Sequence, residues 1–341
     1  MLLISVWILI HFIIGFLVLV SRKIYLGFVG LSLLLYTIIL INKPITYDLN
    51  FYLEYYSNPH PFYEPLFYKL VDFLTYFNNP QISHFIINII GICLYIFALR
   101  IFGLKFFQIL FSLPLYIGSP FFILGANNAI RQFLSASILL VALGLLRKKE
   151  RIFKIFSVVL GILSSGFHHS GVLFFSVTLY ILSFLKVKLK SFKKFRWILF
   201  FLFNSLIVFI FANTFADKYT TYFSKEIDWG EERMSNFPKI VFLTVYIIVS
   251  NYLLKRQILS ETLHFIKIFR FYFFLFILPF GVISGEAFPR LMFFFYAIDS
   301  LFIALILWDK PITIRKKMVI VFAYMIYGVM TNVLNVLGLG S

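Results

Sequence analysis

The sequence predicts an all-α polytopic integral membrane protein of about twelve transmembrane helices, with an outward-facing cavity and an outer interfacial helix. Three observations predict it. Of 341 residues, 61% are hydrophobic and 13% charged, whereas a soluble domain carries about a quarter charged residues. Apolar runs recur along the whole chain at lengths near the roughly 20 residues that a bilayer crossing takes. Basic residues segregate between alternate connections. These features exclude a water-soluble globule, a disordered chain and a disulfide scaffold, and leave no room for a separate soluble domain beside a single transmembrane domain, 1–341.

The apolar runs fall at about 2–20, 24–42, 82–102, 106–124, 128–146, 153–167, 170–185, 197–214, 239–254, 268–284, 288–307 and 318–337. The first lacks a basic leader and a small-residue cleavage site, so it reads as a retained span rather than a signal peptide. The sixth and seventh are short. The single cysteine, Cys93, sits in an apolar run and reads as a small core residue; alone it makes no internal disulfide and no cysteine metal cluster.

Of the 31 basic residues, 23 fall in one set of connections, among them Arg147–Lys149, Lys186–Arg196, Lys255–Arg270 and Lys310–Lys317. Lys and Arg concentrate on the cytoplasmic side, so that set faces inward and both termini face outward. The net charge of +17 is then an orientation signal and an attraction to anionic lipid, not a nucleic-acid surface. The inward loops are short and basic and hold no phosphate-cradling glycine loop, so they read as anchors.

The outward loops, about 43–81 and 214–238, mix acids with tyrosine and phenylalanine. Asp48, Tyr52 and Tyr55 share one helical face. Pro59, Pro61 and Pro65 interrupt any helix, and LFYKLVDFLTYF after Pro65 forms an amphipathic interfacial helix. An interfacial aromatic belt explains single tyrosines equally well. At outward helix ends lie Asn127, Asn128, Arg131 and Gln132 in GANNAIRQ, then His168, His169 and Ser170 in FHHSG, then Glu286 and Arg290 in GEAFPR. Arg131 lies one turn inside an apolar helix, where a charge is costly unless paired. Either arginine can instead snorkel to headgroups, and either histidine can simply hydrogen-bond at a helix end. Asp299, nine residues past Arg290, falls near mid-membrane, where it pairs with a basic or polar group or binds a proton.

In order, TYDLNFYLEYY, FYEPLFYKL, NNAIRQFLSASILL, GFHHSGVLFF and, more loosely, FPRLMFFFY resemble the EpsG-like branch of the Wzy-type O-antigen and capsule polymerases, over about 45–300. His168, directly after Phe167, matches best among the two histidines. The resemblance implies a glycosyltransferase that uses oligosaccharide repeat units on undecaprenyl pyrophosphate at the outer face of the bacterial cytoplasmic membrane. Its partners would be that lipid-linked glycan, the bilayer and a separate chain-length regulator protein, with no nucleic acid.

The chemistry of that reaction fits the outward residues. Arg131 and Arg290 suit neutralisation of a pyrophosphate leaving group. His168 or His169 suits removal of the acceptor hydroxyl proton. Asp48, Tyr52, Glu64, Asn127, Asn128, Gln132 and Glu286 suit docking of the glycan. The carrier is already activated, so no cofactor or metal is demanded. A lipid-linked oligosaccharide flippase or transporter, which needs polar sites near the midplane, is the alternative from another class. A membrane sugar O-acyltransferase explains the histidines but not the arginines, and a glycan ligase differs only in its acceptor.

Overall fold

The computed structural model describes residues 47–336, apart from 62, 118, 128, 187–195, 216–228, 256 and 284–286. All regular structure among the described residues is helical. The chain divides into two compact units, Leu2–Leu179 and Tyr180–Ser341, each built around one helix that is apolar on every side. The expected spans at 2–20 and 24–42 lie outside the described residues.

The first unit contains α1 (Tyr47–Ser57), α2 (Pro65–Leu74) with a 3-10 turn at Thr75–Phe77, α3 (Pro80–Ile101), α4 (Phe106–Ile117), α5 (Pro120–Asn127), α6 (Ile130–Leu146) and α7 (Arg151–Ser165). Helix α8 (Ser170–Lys186) runs past its end. Proline opens α2, α3 and α5, where its missing N–H has no intrahelical partner to lose. Asn79 caps α3, its Oδ1 accepting the Gln81 and Ile82 N–H groups at 3.0 and 3.1 Å. Helix α2 is the helix expected after Pro65, and it is amphipathic: Phe67, Val71 and Leu74 are buried, while Lys69, Asp72 and Phe73 are exposed.

The single span expected over 106–124 is two helices. Proline at 120 cannot extend the hydrogen-bond ladder of α4. Instead Ser119 Oγ donates to the Tyr116 carbonyl at 2.6 Å and accepts the Phe122 N–H at 3.2 Å, which starts α5. Helix α6 is the centre of this unit. Every residue from Phe133 to Gly144 is buried, and α6 packs on α3, α5 and α7. The approach of α3 depends on Gly91, where a Cβ would collide with the Phe133 ring. Cys93 is exposed rather than in the core. It lies on the outer stripe of α3 with Ile89 and Phe97, at the four-residue spacing of one helix face.

The second unit contains α9 (Arg196–Phe215), α10 (Trp229–Leu253), α11 (Glu261–Ile283), α12 (Ala287–Trp308) and α13 (Ile314–Val336). Helix α12 is its centre, buried from Leu291 to Leu307. Arg270 departs from its expected place among the inward anchors. Helix α11 starts at Glu261, so Arg270 lies about 13 Å along it and is fully buried. Its Nε donates to Asp299 Oδ1 at 2.5 Å and its Nη1 to Ser250 Oγ at 3.0 Å. The Tyr246 hydroxyl also donates to Asp299 Oδ1, at 3.1 Å. The guanidinium lies over the Phe302 and Tyr246 rings at 4.2 and 4.6 Å. One ion pair thereby ties α10, α11 and α12, and the deep acid is paired. Lys317, also expected as an anchor, is buried and donates to the Leu307 carbonyl at 2.8 Å, where a cation suits the end of α12.

Four described helices are long and apolar enough to cross a membrane: Pro80–Ile101, Phe237–Leu254, Glu261–Phe280 and Leu291–Trp308. Four shorter apolar helices accompany them, at Phe106–Ile117, Ile130–Leu146, Ser170–Leu185 and Trp197–Leu206. The chain is a multi-pass membrane protein, and these helices do not by themselves establish twelve crossings.

Candidate active site

The site grows from the start of α2. A helix leaves its first N–H groups without intrahelical acceptors. Pro65 removes one of them, and the Leu66 and Phe67 N–H groups donate to the Gly166 carbonyl at 2.9 and 3.2 Å. This binds the α7–α8 turn, Ser165–Ser170, to α2. The approach is close: a Cβ on Gly166 would lie 2.5–2.6 Å from Leu66 side-chain atoms. At the other side of the turn, a Cβ on Gly171 would meet Ser164 and the Ser135 hydroxyl at 2.6–2.8 Å.

Glu64 directly precedes α2 and is the hub. Its carboxylate is 1% exposed, and Arg131 Nη1 donates to Oε2 at 2.6 Å. The other oxygen, Oε1, accepts the His169 N–H at 3.2 Å and lies 3.7 Å from His169 Nε2. Burial alone would raise the Glu64 pKa; the Arg131 guanidinium more than offsets this and holds it below the ordinary carboxylate range. Glu64 was expected to dock glycan, but with both oxygens engaged below the surface it instead holds Arg131 and the turn.

Arg131 stands in the first turn of α6 with 22% of its side chain exposed. Its Nε points to the Tyr52 hydroxyl, a long contact of 3.4 Å, and its guanidinium lies 3.9 Å above the Tyr63 ring. Tyr52 is buried, so here it offers a hydroxyl to Arg131 rather than an open face for a sugar. Tyr52 and Tyr55 share the inner face of α1, as the spacing predicts. The Tyr55 ring meets the Tyr63 ring edge-on at 4.6 Å, and its hydroxyl donates to the His60 carbonyl at 2.9 Å. Burial pushes the Tyr55 phenol up to about 12, and burial likewise raises that of Tyr63. Tyr63 was missed as an individual residue. Its place just before Glu64, in the short loop between α1 and α2, is the signal that marks it.

The two histidines play different parts. His168 Nδ1 accepts the Ser170 N–H at 3.2 Å and lies 2.5 Å from Ser170 Oγ. An N–H can only donate, so Nδ1 carries the lone pair and a neutral His168 ring bears its proton on Nε2. The imidazole thus accepts the N–H of the first residue of α8. His169 is the open one, its side chain 88% exposed. Gln132 is half-buried and takes no part in this hydrogen-bonded cluster among the described residues. Asp48, Asn127 and Arg290 fall on α1, α5 and α12, but their side chains are not among those described. Asn128 and Glu286 lie outside the described residues.

The lowered Glu64 pKa gives a pH dependence with a defined sign. A depressed carboxylate contributes stability above its unfolded pKa, about 4.3 for Glu, and loses it as the pH falls through the folded value. Melting curves of the purified protein should therefore show the Glu64 contribution intact from pH 7 down to about 4.3 and lost below. Glu64→Gln should melt lower at pH 7 and show a shallower acid decline. Parallel wild-type and Glu64→Gln curves would contradict the ion pair.

Every described member of this cluster, from Tyr52 to Ser170, lies in one unit, with Arg131 and His169 held on the Glu64 carboxylate. No curated protein and no solved structure matches the chain. The family model of the EpsG family, however, matches residues 23–338, nearly the whole length, and the chain belongs to the EpsG family.

Proposed function

We propose that this protein is a membrane polysaccharide polymerase. It transfers a growing glycan from undecaprenyl diphosphate onto a fresh lipid-linked repeat unit, at the outer face of the cytoplasmic membrane and without a nucleotide sugar. The observation that carries the reading is the Glu64 hub. One buried carboxylate holds a partly exposed guanidinium and a histidine turn in register, although 67 and 105 residues separate them from it.

With Nη1 on Glu64 and Nε toward Tyr52, Arg131 keeps Nη2 for a diphosphate oxygen. It neutralises charge there as the anomeric C–O bond breaks and undecaprenyl diphosphate leaves with the bonding electrons. The acceptor hydroxyl oxygen forms the new bond to the anomeric carbon, and its proton passes to His169. The imidazolium so formed has its Nε2 near the Glu64 carboxylate, which favours it. His168 donates from Nε2 to substrate oxygen. Arg290 is assigned a second diphosphate contact on its sequence position alone, and Asp48, Asn127, Asn128 and Glu286 contacts to the glycan on theirs. A chain-length regulator completes the system as a separate protein.

The transporter reading needs polar sites near the midplane, where Asp299 was the clearly deep candidate. The Arg270 pairing weakens it. Deleting the gene and sizing the lipid-linked glycans tests the proposal. A polymerase deletion leaves single repeat units at the outer face. Single units trapped on the inner face would indicate a flippase, and finished polymer remaining on the lipid carrier would indicate a ligase.

A further inference from the structure

The inner face of α10 carries a line of buried residues at helical spacing: Lys239, Leu243, Tyr246 and Ser250. Tyr246 and Ser250 serve the Arg270–Asp299 pair. Lys239 lies about 10 Å nearer the opening end of the helix and is 6% exposed. It makes no hydrogen bond or ion pair among the described residues. Among the described residues of this unit, the buried charges are Lys239, Arg270, Asp299, Asp309 and Lys317. Arg270 is matched by Asp299. Asp309 and Lys317 belong to the far end, where Asp309 accepts the Ser260 N–H and hydroxyl and Lys317 reaches the Leu307 carbonyl. Among these described charges the surplus is one positive charge, Lys239.

An uncompensated cation inside an apolar span is costly, and such residues mark ligand or ion pathways. We infer that Lys239 binds an anionic phosphate oxygen of a lipid phosphate ester. The charge orientation of the sequence puts this end of α10 outward, where the phosphate esters of the membrane surface lie, and a lysine ammonium serves phosphate as a point charge. The source is either the carrier diphosphate or an anionic phospholipid headgroup. Only the first of these rests on the polymerase reading.

The test uses full-length protein purified in neutral detergent, with two probes: farnesyl diphosphate and phosphatidylglycerol. Lys239→Met is expected to weaken binding of at least one probe by about tenfold, while Lys239→Arg keeps it within about threefold. Loss confined to farnesyl diphosphate identifies the carrier, and loss confined to phosphatidylglycerol identifies the headgroup. Lys239→Gln serves the same purpose if the methionine variant does not fold. Wild-type protein that binds neither probe, or neutral variants that bind both as wild type does, overturns the inference. The glycan-size test on the deletion strain does not depend on these affinities, so either idea can fail without the other.

Discussion

Arg131→Ala abolishes polymer per amount of folded protein and leaves single repeat units on the lipid carrier, in addition to the stability lost when the buried Glu64 carboxylate has no cation. The expected loss of rate is about a hundredfold to a thousandfold, the scale on which removing one charge-stabilising donor acts. Arg131 is bound to Glu64 on one edge and stacked on Tyr63 on its face, so its position is set before substrate arrives. Arg131→Lys keeps the charge but loses the planar fork that bonds Glu64 and Tyr52 and, in the proposed reaction, a phosphate. It is expected to recover only a small part of the activity. Gel profiles of surface glycan, read beside membrane protein levels, check both variants. Polymer of normal length in Arg131→Ala would remove the role assigned to it.

Asp299→Ala destabilises the second unit by about 3–5 kcal/mol, the scale of stranding a buried charge. Arg270 would remain inside α11 with no anion, facing Tyr246 and Phe302. Arg270→Met alone also destabilises, because Asp299 is then buried without its cation. The double variant Arg270→Met, Asp299→Leu should recover most of the loss, since an apolar pair of similar volume replaces a buried ion pair at little net cost. Thermal unfolding in detergent measures all three. A double variant less stable than both single variants would show that the two side chains do not act as a pair.

Much of this architecture was legible in the chain because proline and asparagine punctuate it. Pro65 and Pro80 open the helices their sequence positions announce, and Asn79 caps α3. The break before Pro120 carried the same signal but was masked by the apolar run on both sides of it. Arg270 was misplaced for a related reason. The first turns of α11 hold Glu261, His264 and Lys267, so they resemble a basic loop, and the apolar run begins only afterwards. A helix can begin well before its hydrophobic stretch does.

The site was legible as pieces and not as an arrangement. The motifs around Glu64, Arg131 and His168 stood out because charges at the ends of apolar helices are unusual. Nothing in their spacing tells which partner each takes. The burial of Glu64 follows from the docking of the α7–α8 turn on α2 through the Gly166 carbonyl. That contact joins segments about a hundred residues apart and has no local signature. Tyr52 was read as a sugar platform for a similar reason: a tyrosine exposes its face or spends its hydroxyl according to what packs above it.

The account turns on whether a guanidinium anchored to Glu64 performs glycan transfer from a lipid diphosphate. Purified protein in vesicles, supplied only with lipid-linked repeat units, measures this directly. The account predicts that wild-type protein lengthens the glycan with no nucleotide sugar present, and that equal amounts of folded Arg131→Ala do not. Elongation by Arg131→Ala at the wild-type rate, or elongation that requires a nucleotide sugar, would contradict it.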